Sequence, residues 1–212
     1  MSRKVFSCGI LIFLAFWTSL YAADKPGIIE HLVVADTGRI PTYLSIVDPD
    51  VLQPFVTSPF LTFQVPASPK SDTLFFAFWG GMRFKWSGGV NQIADCTMWL
   101  ECVSSVIPSD VAVSIGFLVC REYLVGGAGG YSPTPISRSQ SGEFLMRRGQ
   151  LDMWYVRSKT TGAELPQDQA IPIISALIEN GFAAEVHAEG KVQGVSLAYV
   201  FPAHFHVTRI AK

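Results

Sequence analysis

The chain has 212 residues, of which 49% are hydrophobic and 12% aromatic, so it can bury a sizeable core and is not a disordered segment. Charged residues make up 16% and the formal net charge is -1, which excludes nucleic-acid binding by charge alone and suits a surface covered by neighbouring chains. Four cysteines are present; Cys8 lies in an apolar N-terminal run, and Cys96, Cys102 and Cys120 are an odd number that makes a poor disulfide framework, so buried thiols acting as small hydrophobes are expected.

Arg3 and Lys4 precede an apolar run from Val5 to Trp17, which is followed by Thr18 to Ala23. A basic start, a short apolar stretch and small residues make a signal-like pattern. The run is shorter than the roughly 20 apolar residues a bilayer span needs. Cleavage after Ala23 would put Tyr21 at the minus-three position, so the small-x-small rule is half met. The competing reading is an apolar arm, residues 1–28, that packs against the domain or a neighbour. There is no Asn-x-Ser/Thr sequon.

His31 to Ala35 reads as a strand, ending at the turn formers Asp36 and Gly38, and Thr42 to Val47 as a second. Asp48 is a candidate cap for a short helix, with Pro49 at its first position and Val51, Leu52 and Phe55 on its apolar face. Phe60 to Val65 is strand-like. The stretch Leu74 to Val103 is the centre of the reading. Met82, Phe84 and Trp86 share one strand face and Arg83 and Lys85 the other; Ser87-Gly88-Gly89 then supplies a reversal. Cys96, Met98, Leu100 and Cys102 form the next apolar face, opposite Thr97, Trp99 and Glu101. Val111, Val113, Ile115, Phe117 and Val119 alternate as a further strand.

Gly126 to Gly130 and the Ser/Pro-rich stretch to Gly142 predict a long surface loop; no Gly-Lys-Ser/Thr follows, so a phosphate cradle is disfavoured. Glu143 to Met146 is a short strand candidate. Gln150 to Arg157 is a firmer one, with Leu151, Met153 and Tyr155 on one face and Trp154 and Val156 on the other. Ile171 to Ile178 fits helix or strand. Phe182 to Ala188, Gly194 to Val200 and His204 to Ile210 are strand-like. Many short strands with turn signals between them indicate a sandwich or barrel. Phe84, Trp86, Met98, Leu100, Val113, Ile115 and Met153 are expected to be buried together.

Glu185-x-His187 and His204-x-His206 have metal-ligand spacing, because residues i and i+2 of a strand face the same way. The bland alternative, solvent-facing imidazoles, is expected. Cys120 precedes Arg121 and Glu122, and a neighbouring cation can lower a thiol pKa, but a buried thiol is the simpler reading. His31 and Asp36 are too close along one strand and turn to make a dyad. No Gly-x-Ser-x-Gly elbow occurs, and the carboxylates show no paired pattern. No catalytic, cofactor-binding or metal residue is assigned.

Several segments, in order, resemble the jelly-roll capsid subunits of picornavirus-like positive-strand RNA viruses. Phe78-Trp79-Gly80-Gly81-Met82-Arg83-Phe84-Lys85 is similar to a run on the third strand of that roll, with Gly80 in place of the usual arginine. The segment from His31 to Leu52 resembles the first strand and the extended chain after it, and Pro49 to Phe60 sits where the family has a short helix. Gly149 to Ala188 resembles the last two strands. The resemblance implies one eight-stranded antiparallel jelly-roll sandwich over 29–188, with an N-terminal arm and a C-terminal β extension over 189–212. It also implies a structural, non-enzymatic subunit of an icosahedral virion, with no cofactor. Its partners would be sister jelly rolls, and the RNA genome at the inner surface. The alternative is a secreted or periplasmic β-sandwich binding module with a cleaved signal. A third reading is a cupin-like metal enzyme, although cupins carry a Glu closely after the His-x-His, and none follows His206 here.

Overall fold

Period-two alternation makes most of this chain strand, and apolar residues on both sheets' inner faces pull two layers together. The computed structural model describes residues 28–36, 42–44, 46–48, 50–86, 91–125 and 136–211. The described strands are β1 (Ile28–Asp36), β2 (Thr42–Leu44), β3 (Gln53–Val56), β4 (Leu61–Val65), β5 (Ser71–Trp86), β6 (Asn91–Val103), β7 (Val111–Val125), β8 (Ile136–Arg147), β9 (Tyr155–Ser158), β10 (Phe182–Gln193) and β11 (Val195–Ala211). Among the described residues there is one helix, α1 (Gln167–Asn180), which precedes β10.

The chain is all-β with two antiparallel sheets, as expected. The first runs β1-β11-β5-β8, with β2 also on β11; the second runs β3-β10-β6-β7-β9, with β4 also on β10. The long pairings are nested in sequence: β6 with β7, β5 with β8, β4 with β10, and β1 with β11. Within this set β6 and β7 form a hairpin in one sheet, whereas β4 and β5, β5 and β6, β7 and β8, and β10 and β11 follow each other in different sheets. Gly194 alone joins β10 to β11 at such a corner. Its φ is +67°, and a Cβ there would lie 2.4 Å from the Asn91 carbonyl oxygen, so a side chain does not fit.

β5 shows how sequence becomes core. Leu74, Phe76, Phe78, Gly80, Met82 and Phe84 are buried on its inward side, while Trp79 and Lys85 are exposed on the other. The Gly80-Gly81 pair does not break the strand. Gly80 faces Met98 and Phe117 of the opposite sheet. An arginine at that position would bury a charge in the core. Within the first sheet Phe76 stacks on Phe144, its partner on β8, at 4.9 Å. Between the sheets Phe78 meets Phe117 at 4.9 Å, and Phe117 meets Phe205 edge-on at 5.3 Å. Such pairs add about 0.5–1.5 kcal/mol each beyond burial.

The expected core residues Phe84, Met98, Leu100, Val113 and Ile115 are buried together. Trp86 ends β5, and its side chain lies outside those described. Met153 is a correction, being 62% exposed. The expected strand from Gln150 is a turn at first. Trp154 N–H donates to the Leu151 carbonyl at 3.0 Å, and Asp152 has a φ of +49°. Arg147 holds the Asp152 carboxylate. The turn swings Met153 outward and buries Trp154, whose Nε1 donates to the Leu145 carbonyl at 2.8 Å. Only Tyr155 onward is strand, and there Val156 faces in and Tyr155 faces out.

Other expectations are corrected by local geometry. Val119 leaves the face of Val111, Val113, Ile115 and Phe117, because a bulge pairs Met98 with Leu118 but Trp99 with Gly116. Beyond it Cys120 is the buried residue and Val119 the exposed one. No helix forms between Val51 and Phe55. The Asp48 side chain instead accepts from the Asp50 N–H at 2.9 Å, a local turn, and Gln53 opens β3. Ile171 to Ile178 is helix, buried at Ala170, Ile174, Leu177 and Ile178, the spacing of one helical face. Gly149 to Ala188 therefore holds β9, α1 and β10 rather than the last two strands. Residues 136–142 of the expected loop belong to β8; 126–135 lie outside the described residues, as do 1–27.

The range 189–212 is not an appendage. The boundary at Glu189 falls inside β10, and β11 lies between β1 and β5 in the middle of the first sheet. The two strand-like runs expected after Gly194 are one strand, interrupted by a register shift between Phe201 and His204. Pro202 lies in that shift; it has no N–H to give the ladder. The shift changes which residues point inward, from Ala198 and Val200 to Phe205 and Val207.

Burial makes a direct prediction. Phe84→Ala should lower unfolding free energy by about 3–5 kcal/mol, whereas Met153→Ala should change it by less than about 0.5 kcal/mol. Urea denaturation of both variants is the check, and comparable losses would contradict the assigned turn at residues 151–154.

Candidate functional site

The two sequence pairs with ligand spacing are on different sheets. His204 and His206 point outward from β11, and Glu185 and His187 outward from β10. They occupy opposite outer faces of the sandwich and cannot share one ion.

On the first sheet a third imidazole joins the pair. His31, on β1, lies edge-on to His206 at 6.4 Å between ring centroids, and His204 lies 4.9 Å from His206. The register explains this, because Thr208 is opposite His31 and Val34 is opposite His206. Sequence spacing gave no sign of it, since β1 and β11 are the most distant strands in the chain. Asp36, considered with His31, is opposite His204 instead. Among the described residues, no three His, Cys, Asp or Glu side chains are grouped so as to hold a metal ion.

On the second sheet His187 is buried, which corrects the expectation of a solvent-facing imidazole. Its ring stacks on Trp99 at 4.3 Å and 11°. Trp99 is its direct partner on β6. Its Nδ1 lies 3.4 Å from the Thr57 carbonyl oxygen, and its Nε2 lies 3.6 Å from a Glu185 carboxylate oxygen. The stack on Trp99 covers one face of the ring.

Cys120 and Arg121 point to opposite sides of β7. The thiol is in the core and the guanidinium is exposed, 3.8 Å from Asp95. Arg121 therefore does not activate the thiol. Burial, with Cys120 and Asp95 nearby, pushes the Cys96 thiol well up; burial, with Glu101 nearby, does the same to Cys102. Thiols in this state are poor nucleophiles. The side chain of Glu122 and the glycines from Gly126 to Gly130 lie outside those described.

A pocket of about 150 Å³ opens at one end of the second sheet, with Glu101, Ser104, Ser109 and Lys159 at its wall. Small-molecule sites are commonly about 300–1,000 Å³, so this one suits a few atoms at most. Exposed apolar surface is more prominent. Val34, Trp79 and Ile210 are exposed on the first sheet's strands, and Tyr43 packs on Tyr199 beside Arg83, which donates to the Tyr199 hydroxyl at 3.2 Å. Val51, Leu52 and Val56 are exposed around β3. Among the described residues, no helix is long and apolar enough to cross a membrane.

These placements predict that chelation leaves folding untouched. The thermal midpoint should be the same with and without a strong chelator. A fall that a divalent ion restores, and that His206→Ala abolishes, would instead identify the three-histidine face as a structural metal site.

No family model matches the chain, and no curated protein matches it.

Proposed function

We propose that this chain is a structural capsid subunit of a small icosahedral positive-strand RNA virus, assembling with sister jelly rolls around the genome. The observation that carries the reading is the nested strand pairing. If β1, β4, β5, β6, β7, β8, β10 and β11 are counted one to eight, the pairs are one with eight, two with seven, three with six and four with five. One long antiparallel hairpin, rolled up, has those pairs. Rolling adds two contacts, β11 on β5 and β10 on β6, and both occur. This supports the jelly-roll reading of the sandwich. The run from Phe78 to Lys85 lies on β5, the third strand of that count, where the resemblance expects it.

The surface is consistent with a tiled subunit. Valines, a tryptophan and tyrosines are exposed on strand faces and around β3, and monomers seldom leave large contiguous apolar patches open. An edge strand of 12 residues, β8, has a partner on one side only among the described residues. Unprotected edges of that length recruit further strands. The role needs no cofactor and no catalytic group.

A secreted or periplasmic binding module is the second reading. The observation favouring it is the basic, apolar and small-residue order from Arg3 to Ala23.

Assembly separates the two. The full chain and a form lacking residues 1–23 should both associate at neutral pH, as multi-angle light scattering would show, because obligate interfaces commonly bury more than about 2,000 Å². A stable monomer at high concentration, together with export of the full chain by cells, would overturn the capsid reading in favour of the secreted one.

A further inference from the structure

The second sheet brings two thiols together that are remote in sequence. Cys96 on β6 and Cys120 on β7 are direct cross-strand partners. Both face the core and each is 1% exposed. Directly opposite residues in an antiparallel ladder have Cα atoms about 4.5 or about 5.5 Å apart, according to their place in the ladder. Disulfides span Cα separations of about 4.4–6.8 Å. The register therefore meets the distance requirement at either ladder position, and the shared inward face meets the requirement of direction. Cys102 points into the same core but is opposite Val113, so its rung offers no second sulfur. The rung beside the pair is held from outside, where Asp95 is opposite Arg121 with their side chains 3.8 Å apart.

We propose that Cys96 and Cys120 are a latent cross-strand disulfide, which closes when the chain folds in the presence of a small-molecule disulfide oxidant and stays open in a reducing compartment. This structure holds all three core cysteines as thiols. In the oxidising case one cysteine thiolate attacks the oxidant's disulfide, giving a mixed disulfide and releasing one oxidant thiolate. The second cysteine thiolate attacks the protein sulfur of that mixed disulfide and releases the other. Two protein thiols lose two electrons in all, the oxidant gains them as two thiols, and the two protons pass to those thiols through water.

Timing follows from burial. In the folded sandwich the sulfurs are shut away from the oxidant and the thiolate is scarce, so exchange happens while β6 and β7 are pairing and before the first sheet covers them. The bridge would tie two central strands across the loop from residue 104 to residue 110. It would make the redox state of the compartment readable in the chain, independently of the capsid reading.

The test uses the full chain, reduced and unfolded, then refolded either in a mixture of oxidised and reduced glutathione or in excess dithiothreitol. Remaining thiols are alkylated under denaturant after far-ultraviolet circular dichroism has shown β structure. Peptide mapping without reduction should find Cys96 joined to Cys120 and Cys102 alkylated in the glutathione sample, and every cysteine alkylated in the dithiothreitol sample. Cys102→Ser should keep the bridge, and Cys120→Ser should abolish it. Folded chain from glutathione with Cys96 and Cys120 both alkylated would overturn the proposal. So would a bridge to Cys102, or folding that succeeds in dithiothreitol but fails in glutathione. Chain purified directly from an oxidising expression compartment gives a second readout that needs no refolding: the same linkage is expected, and its absence from folded material would also overturn the proposal.

Discussion

The structure depends on β11 being paired along both of its edges. One edge holds β5 over nearly the whole strand, and the other holds β1 and β2. Ile28 is thereby opposite Ala211, so the first described strand is fixed by the last. Closing that pairing costs the chain entropy of a loop of most of its length, but the cost rises only with the logarithm of loop length. What offsets it is burial: Ala198, Val200, Phe205 and Val207 all point into the core. A contact this remote in sequence also implies slow folding compared with a helical protein of similar size.

Everything between follows from the same rolled arrangement. β5 and β8 continue the first sheet from β11, while β10, one residue away across Gly194, carries the chain into the second. The aromatic contacts from Trp154 through Phe76, Phe144 and Phe78 to Phe117 and Phe205 join the two sheets. Gly80 sits among them, and the Met98 and Phe117 side chains of the other sheet come within contact distance of where its Cβ would be. α1 closes one end of the sandwich. Its Glu179 pairs with Arg148 after β8, and Gly181, with φ +76°, ends it where a Cβ would lie 2.7 Å from the Val65 carbonyl oxygen.

The fold class was legible wherever alternation was uninterrupted. β6 alternates buried and half-buried from Asn91 to Glu101, and its inward set is the one its sequence suggests. Legibility failed where one residue changes the phase. The bulge near Phe117 turned Val119 outward, and the shift at Pro202 made one strand read as two. The turn through Asp152 swung Met153 outward, because a positive φ at a non-glycine residue leaves no mark in a hydrophobic pattern. The helix over Gln167–Asn180 was ambiguous because its apolar spacing was read over too short a window to separate the two periods.

The candidate sites were less legible, for a different reason. A strand pair such as His204 and His206 is visible in sequence, but its neighbour His31 is set by register between the two most distant strands. His187 was expected to face solvent and is instead covered by Trp99, a cross-strand partner. Cys96 and Cys120 were legible as core residues and not as a pair. All three cases turn on which residues face each other across a ladder, and that is decided by β11 and the roll it closes. Native-state hydrogen exchange tests this most directly. Amides of Phe205 and Val207 on β11 should exchange only through global unfolding, with the same opening free energy as those of Phe76 and Phe78 on β5. A separate, lower-energy opening that frees β11 and β1 while β5 and β8 stay protected would contradict the account.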